Sequence, residues 1–252
     1  MSTALYDKII FGPIHSRRLG ISLGVNLLSP ESKHCNFDCI YCECGWNRDH
    51  PHGHFNPTEQ VVEALEAQLQ QMATEGLLPE VITFAGNGEP TMHPDFGHIV
   101  ELTRALRERL APRCKIAVLT NATMIHRPAV VAALRTVDDN ILKFDSAIES
   151  TVRLMNQPNN PRTTAQTIEL LRQFSGTGIV QTMFLRSAAV DNTTPAEVEA
   201  WLAAIAQIAP AQVMLYSIDR DTPQEGLEAV TKEQMELIAQ RVRALGIKAT
   251  VN

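Results

Sequence analysis

Short apolar runs alternate with amphipathic stretches along most of the chain. VITFAG (81–86), KIAVLT (115–120), ILKFDSA (141–147), IVQTMFL (179–185) and QVMLYSI (212–218) are rich in β-forming residues and have the length of strands. ISLGVNLL (21–28) adds an earlier strand and KATV (248–251) a short last one. Between them lie helices with readable ends. Asn56-Pro57 reads as an N-cap and first-turn proline with Glu59 as capping carboxylate, after which Val61, Val62, Leu65, Leu69 and Met72 keep to one face. Thr194-Pro195-x-Glu197 repeats that start signal, and Thr231-x-x-Gln234 opens a helix that Gly246 ends. Helices also fit 95–110, 128–136 and 163–175. This alternation predicts an α/β fold with a parallel sheet and right-handed crossovers. A barrel or partial barrel is favoured over an open doubly wound sheet, although alternation alone fits both.

With 252 residues the chain fits one sizeable domain over 1–252, with residues 1–30 forming an N-terminal extension and the first strand. The formal net charge of −6 argues against a broad electrostatic grip on nucleic acid, leaving Arg17–Arg18 as a local basic pair. MSTALYDKII has no apolar segment before a cleavage site, and no apolar run reaches the ~18 residues of a membrane span. A cytoplasmic protein is expected, in a compartment where clustered cysteines favour metal binding or catalysis over disulfides.

In parallel α/β folds the C-terminal strand ends and the loops after them carry ligands. The chemically informative residues gather there. A cysteine-rich loop follows the first strand, GNGEP follows VITFA, Asn121 follows KIAVLT, Asp145 and Ser146 end ILKFD, and Arg186 ends IVQTMFL. Lys143 and Asp145 also fit an internal ion pair, and His15, Arg17 and Arg18 fit either solvated charge or an anion contact. HPHGH (50–54) reads as an exposed loop and Cys114 as a small core residue. Asp219 and Arg220 follow the sixth strand, where they either pair or close the pocket floor.

The loop KHCNFDCIYCECGW (33–46) holds Cys35, Cys39 and Cys42 as C-x3-C-x2-C, with Cys44 close behind. Irregular short spacings let thiolates reach separate irons of a cuboidal iron–sulfur cluster, and three ligands leave one iron open. A zinc site is the alternative, with His34, His50, His52 and His54 nearby, although the paired knuckles of structural zinc sites are missing. FAGNGEPTMHP (84–94) is no phosphate loop, lacking both G-K-[S/T] and G-x-G-x-x-G. As a turn, it lets glycine backbone approach a ligand closely.

CNFDCIYC resembles the CxxxCxΦC motif of the radical S-adenosylmethionine (radical SAM) superfamily, and GNGEP resembles its GGEP motif with Asn87 inserted. The resemblance implies that Cys35, Cys39 and Cys42 bind a [4Fe–4S] cluster whose open iron is chelated by S-adenosylmethionine, with Tyr41 near the adenine. Gly86, Gly88, Glu89 and Pro90 would receive the methionine ammonium, and Asn121, Asp145, Ser146 and Arg186 would contact ribose and carboxylate. It implies a partial (β/α)6 TIM-type barrel and an iron–sulfur oxidoreductase or lyase. There a reduced cluster cleaves S-adenosylmethionine to a 5′-deoxyadenosyl radical for hydrogen abstraction from a small molecule or tRNA base. A flavodoxin or ferredoxin is the expected donor. Protein or peptide modification and a non-enzymatic zinc- or cluster-binding module are the alternatives. GPIHSRRLG and YSIDRDTPQEGL extend the similarity toward the small proteins grouped with 4-demethylwyosine synthases. Those enzymes carry a second cluster on N-terminal cysteines, whereas no cysteine precedes Cys35. Cys44 receives no role.

Overall fold

The computed structural model describes residues 5–16, 19–159 and 162–252, so Arg17 and Arg18 lie outside the described residues. Strands β2 (Gly20–Val25), β3 (Val81–Phe84), β4 (Lys115–Thr120), β5 (Asp139–Lys143), β6 (Ile179–Arg186) and β7 (Gln212–Ser217) pair in parallel in that order. KATV forms the last parallel strand, paired to β7 over Lys248–Val251. The expected partial barrel is what forms, and the sheet is not closed.

The helices between the strands are α1 (Thr58–Glu75), α2 (Phe96–Leu110), α3 (Pro128–Leu134), α4 (Glu149–Asn156), α5 (Thr164–Leu171), α6 (Pro195–Ile208) and, after β7, α7 (Lys232–Ala244). Thr194 and Thr231 cap α6 and α7 as expected, each accepting from the backbone N–H three residues on. Gly246, at φ +80°, follows α7 where the backbone turns left-handed.

Four readings need correction. The N-cap of α1 is Pro57, and Asn56 turns its amide inward to the carbonyls of Asn26 (3.0 Å) and Leu28 (2.7 Å). Those buried loop carbonyls would otherwise lack donors, which outweighs a cap that solvent can replace. Residues 163–175 divide into α5 and a 3-10 turn at Arg172–Phe174. Helix α4 was not anticipated. GPIHS does not simply precede the sheet but forms an antiparallel edge strand, β1 (Ile10–Ser16), on β2. Its exposed, polar and proline-broken pattern hid it.

Strand alternation sorts the side chains into two sets. Leu23, Ile82, Val118, Leu142, Val180 and Val213 point outward and join the helices in the main core. Val81, Ala117, Ile141, Ile179 and Met214 point inward and form an apolar floor across the barrel. One residue pair further along the strands the lumen turns polar, with Thr83, Lys143, Gln181 and Tyr216.

Candidate active site at the barrel mouth

The cysteine loop is anchored on two sides. Its backbone pairs with the end of α4 through Asp38 N to Asn156 O and Ile40 N to Met155 O, both 2.9 Å. On the other side His34 N donates to Asn87 O (2.9 Å) and Glu89 N donates back to His34 O (3.1 Å), joining the loop to the GNGEP turn. Within it, Asn47 Nδ2 gives hydrogen bonds to the carbonyls of Cys35 (3.1 Å) and Phe37 (3.0 Å).

The four loop cysteines are free thiols, three of them with N–H groups aimed at their sulfur or charge beside it. Cys35 Sγ accepts from Phe37 N (3.4 Å) and Asn121 Nδ2 (3.5 Å), and Cys39 Sγ accepts from Asn156 Nδ2 (3.5 Å). Burial pushes the Cys39 thiol up to about 11, and Cys35 higher still. Cys42 goes the other way, to about 6, because the Cys44 thiol donates to it and the Lys33 ammonium lies beside it. Cys44 is pushed up as that donor, and its Sγ also lies 3.5 Å from Gly86 O. Cys35, Cys39 and Cys42 offer soft sulfur donors with N–H groups or positive charge at the sulfur, which is the donor chemistry that an iron–sulfur cluster takes.

The GNGEP turn follows β3 with Gly86 at φ +139° and Gly88 at φ +144°. A Cβ on Gly86 would fall 2.5 Å from Asn26 Oδ1, and one on Gly88 would fall 1.9 Å from His34 O. Asn87, the residue inserted between them, is fully buried. Its amide accepts from Tyr6 N (2.8 Å) and donates to the carbonyls of Tyr6 (2.9 Å) and Ser29 (3.0 Å). The insertion thus fastens the N-terminal segment. Glu89 is buried and spends its carboxylate on framework: it accepts from Thr91 N (3.1 Å), Thr120 Oγ1 (2.6 Å), Asn121 N (2.6 Å) and the Thr91 hydroxyl. Pro90 is buried at the start of a 3-10 turn.

Tyr41, Lys143, Asp145 and Asn156 form one buried network against Cys39. The Tyr41 hydroxyl donates to Asp145, and Lys143 Nζ donates to Tyr41 OH (2.7 Å) and Tyr216 OH (3.2 Å) while lying 3.6 Å from the Asp145 carboxylate. Asn156 Nδ2 reaches Asp145 at 2.7 Å and Tyr41 OH at 3.1 Å. Burial opposes the charge on Lys143, yet Asp145 and its other anionic-capable neighbours raise its pKa above the ordinary value. Burial and Asp145 together push the Tyr41 phenol up.

The remaining sequence candidates diverge. Asn121 bridges Cys35 to Asn36, whose Oδ1 lies 2.7 Å from Asn121 Nδ2, and it lines a shallow cleft with Asp145 and Ser146. Ser146 Oγ donates to Glu197 (2.7 Å), behind that cleft's edge. Arg186 is held by Thr193 (2.9 Å) and Asp191 (3.7 Å) and lines neither this cleft nor the lumen. Arg220 pairs with Glu43 at 2.6 Å. His52 and His54 are exposed and Cys114 is buried, as their sequence context suggests.

A chamber of about 330 Å³ runs from Cys42, Cys44 and Gly86 into the polar lumen at Thr83, Lys143, Gln181 and Tyr216. A larger concavity of about 1020 Å³ lies at the opposite, N-terminal strand ends, around Val81, Lys115, Asp139 and Lys248. Its size does not make it the reaction site, because the cysteines face the other way. Sequence reasoning passed over Lys33, Asn36, Asn156, Gln181 and Tyr216. Period-two alternation places Gln181 and Tyr216 on the same lumen face as Lys143; nothing local marks Lys33, Asn36 or Asn156.

Residues 32–205 match the family model for the radical SAM superfamily, and the chain belongs to that superfamily. A UPF0026 protein of Synechocystis sp. is 31% identical over 223 residues, covering 85% of this chain and 77% of that protein. The fold resembles that of a radical SAM methyltransferase from Sphaerobacter thermophilus, at TM-score 0.70 and 17% identity over 92% of this chain and 65% of that one. It also resembles archaeal TYW1, at TM-score 0.57 and 11% identity over 88% and 71% of the two chains. The chain spans between 33% and 54% of the length of four other curated relatives. The superfamily uses a [4Fe–4S] cluster and S-adenosylmethionine, the two cofactors that the motifs imply. Among the described residues no helix is long and apolar enough to cross a membrane.

Proposed function

We propose that the chain is a radical SAM enzyme that binds its [4Fe–4S] cluster through Cys35, Cys39 and Cys42 and its S-adenosylmethionine against the Gly86–Gly88 turn. Its substrate would be a small molecule, or a single tRNA base, seated in the lumen. The observation that supports this is the double backbone tie between His34 and the GNGEP turn, which joins the start of the cysteine loop to the two glycines. When bound, the two cofactors supply one-electron chemistry that ends in hydrogen abstraction from the substrate.

The protein's own groups have separable tasks in this reading. Asn121 and Asn156 donate to the sulfurs of Cys35 and Cys39 and fix their orientation. The glycine turn would meet a ligand's ammonium through its backbone, and a side chain at Gly86 or Gly88 would strike Asn26 or His34 and disturb the turn. Tyr41, within the cysteine loop, is held by Asp145 and Lys143, and Asn121, Asp145 and Ser146 border the cleft proposed for the rest of S-adenosylmethionine. The apolar floor shuts the lumen from below, which a reactive intermediate requires. A flavodoxin or ferredoxin is the proposed reductant and the cytoplasm the proposed location. Anaerobic turnover with dithionite and S-adenosylmethionine tests the reading: 5′-deoxyadenosine and methionine should accumulate, and the Cys39→Ala variant should form neither.

A further inference from the structure

The cysteine loop is wrapped around a buried cation. Lys33 has a side chain only 1% exposed, and its ammonium donates to Gly45 O at 2.6 Å and to Asp38 Oδ1 at 3.1 Å. Gly45 follows Cys44 and Asp38 precedes Cys39, so the side chain crosses the inside of the loop from one end to the other. Its charge is felt at Cys35 and Cys42. The counter-charge is incomplete: Asp38 is 24% exposed and also accepts from Asn47 N at 2.9 Å. Solvent screens an exposed carboxylate more than a buried ammonium.

A lysine with this burial would normally be replaced by an apolar stem if its only task were to fill space, because desolvating an ammonium is costly. Three cluster thiolates in one loop offer the compensation. Reduction adds another negative charge to the same place, and cluster potentials follow local charge, hydrogen bonds to sulfur and exposure. Resting on the cluster assignment made above, we propose that Lys33 is a positioning residue that raises the reduction potential of the [4Fe–4S] cluster through its solvent-excluded charge. Asp38 acts on the same potential with the opposite sign.

A loop staple alone would also need Lys33, so the test must read something that stapling does not move. The full chain, anaerobically reconstituted, is titrated with reductant and followed by EPR for wild type, Lys33→Met and Asp38→Asn. Lys33→Met should shift the midpoint to lower potential, and Asp38→Asn should shift it higher. Unchanged midpoints in cluster-loaded variants, or a downward shift in Asp38→Asn, overturn the proposal. If Lys33→Met takes up no cluster, Lys33→Gln, which removes the charge but keeps a donor for Gly45 O, is titrated in its place and should show the same downward shift, an unchanged midpoint overturning the proposal. Wild-type protein that holds no cluster would instead overturn the cluster assignment, a result seen before any variant is made.

Discussion

The carbonyl oxygen of His34 lies 1.9 Å from where a Cβ on Gly88 would stand. The clash is with backbone, so no rotamer change relieves it, and Gly88 also sits at φ +144°. Gly88→Ala should cost about 1–3 kcal/mol and push the cysteine loop off the turn. Urea unfolding and iron content after reconstitution check this, with Gly76→Ala, which meets nothing within 4 Å at φ +71°, as the control for backbone conformation alone. Iron loading should fall for Gly88→Ala and hold for Gly76→Ala.

In the proposed ligand set Cys44 is a neighbour of the three cysteines rather than a fourth ligand. Its thiol faces Gly86 O at 3.5 Å. Cys44→Ala should therefore keep the cluster, while Cys39→Ala loses it. Visible absorption and iron analysis of both variants decide it, and cluster loss in Cys44→Ala would make the count of three ligands wrong.

The Lys143–Asp145 pair, 3.6 Å apart and buried, should behave as a unit. Lys143→Met leaves a buried carboxylate without its cation and should cost about 3 kcal/mol or more. Adding Asp145→Leu should recover part of that loss. A double-mutant cycle by denaturant unfolding measures the coupling, and strict additivity would show that the pair does not interact.

Glu89 gives a pH dependence of defined sign. Burial raises its folded-state pKa, even though four donors to its carboxylate pull the other way. The folded state thus holds the proton more tightly than the unfolded chain. This contribution to stability is fully present below the ordinary glutamate value and is lost as pH rises through the folded one. Glu89→Gln should remove that slope in a pH series of urea unfolding. It should also be less stable overall, because an amide nitrogen would face Asn121 N.

Much of this was legible in the sequence where a local signal existed. Parallel strands, the threonine caps of α6 and α7, the cysteine spacing and the glycine turn each write themselves in neighbouring residues. The edge strand Ile10–Ser16 did not, because a proline and exposed positions break its alternation. Glu89 and Ser146 carried motif position but not partner: only the fold brings Thr120 and Glu197 to them. Lys33 reaches Gly45, twelve residues on, and Asn156 reaches Cys39, 117 residues back, contacts that no spacing rule encodes. Asn87 looks in the sequence like an interruption of a glycine pair, and its reason is the backbone of Tyr6, 81 residues upstream.

The central claim is that this mouth holds a cluster with a site for S-adenosylmethionine beside it. Adding S-adenosylmethionine to dithionite-reduced, anaerobically reconstituted wild-type protein while recording the EPR spectrum tests it most directly. With about four irons bound per chain, the account predicts a [4Fe–4S]⁺ signal whose g values change on addition. A loaded cluster whose spectrum ignores S-adenosylmethionine, or protein that keeps zinc and takes up no iron, would contradict it.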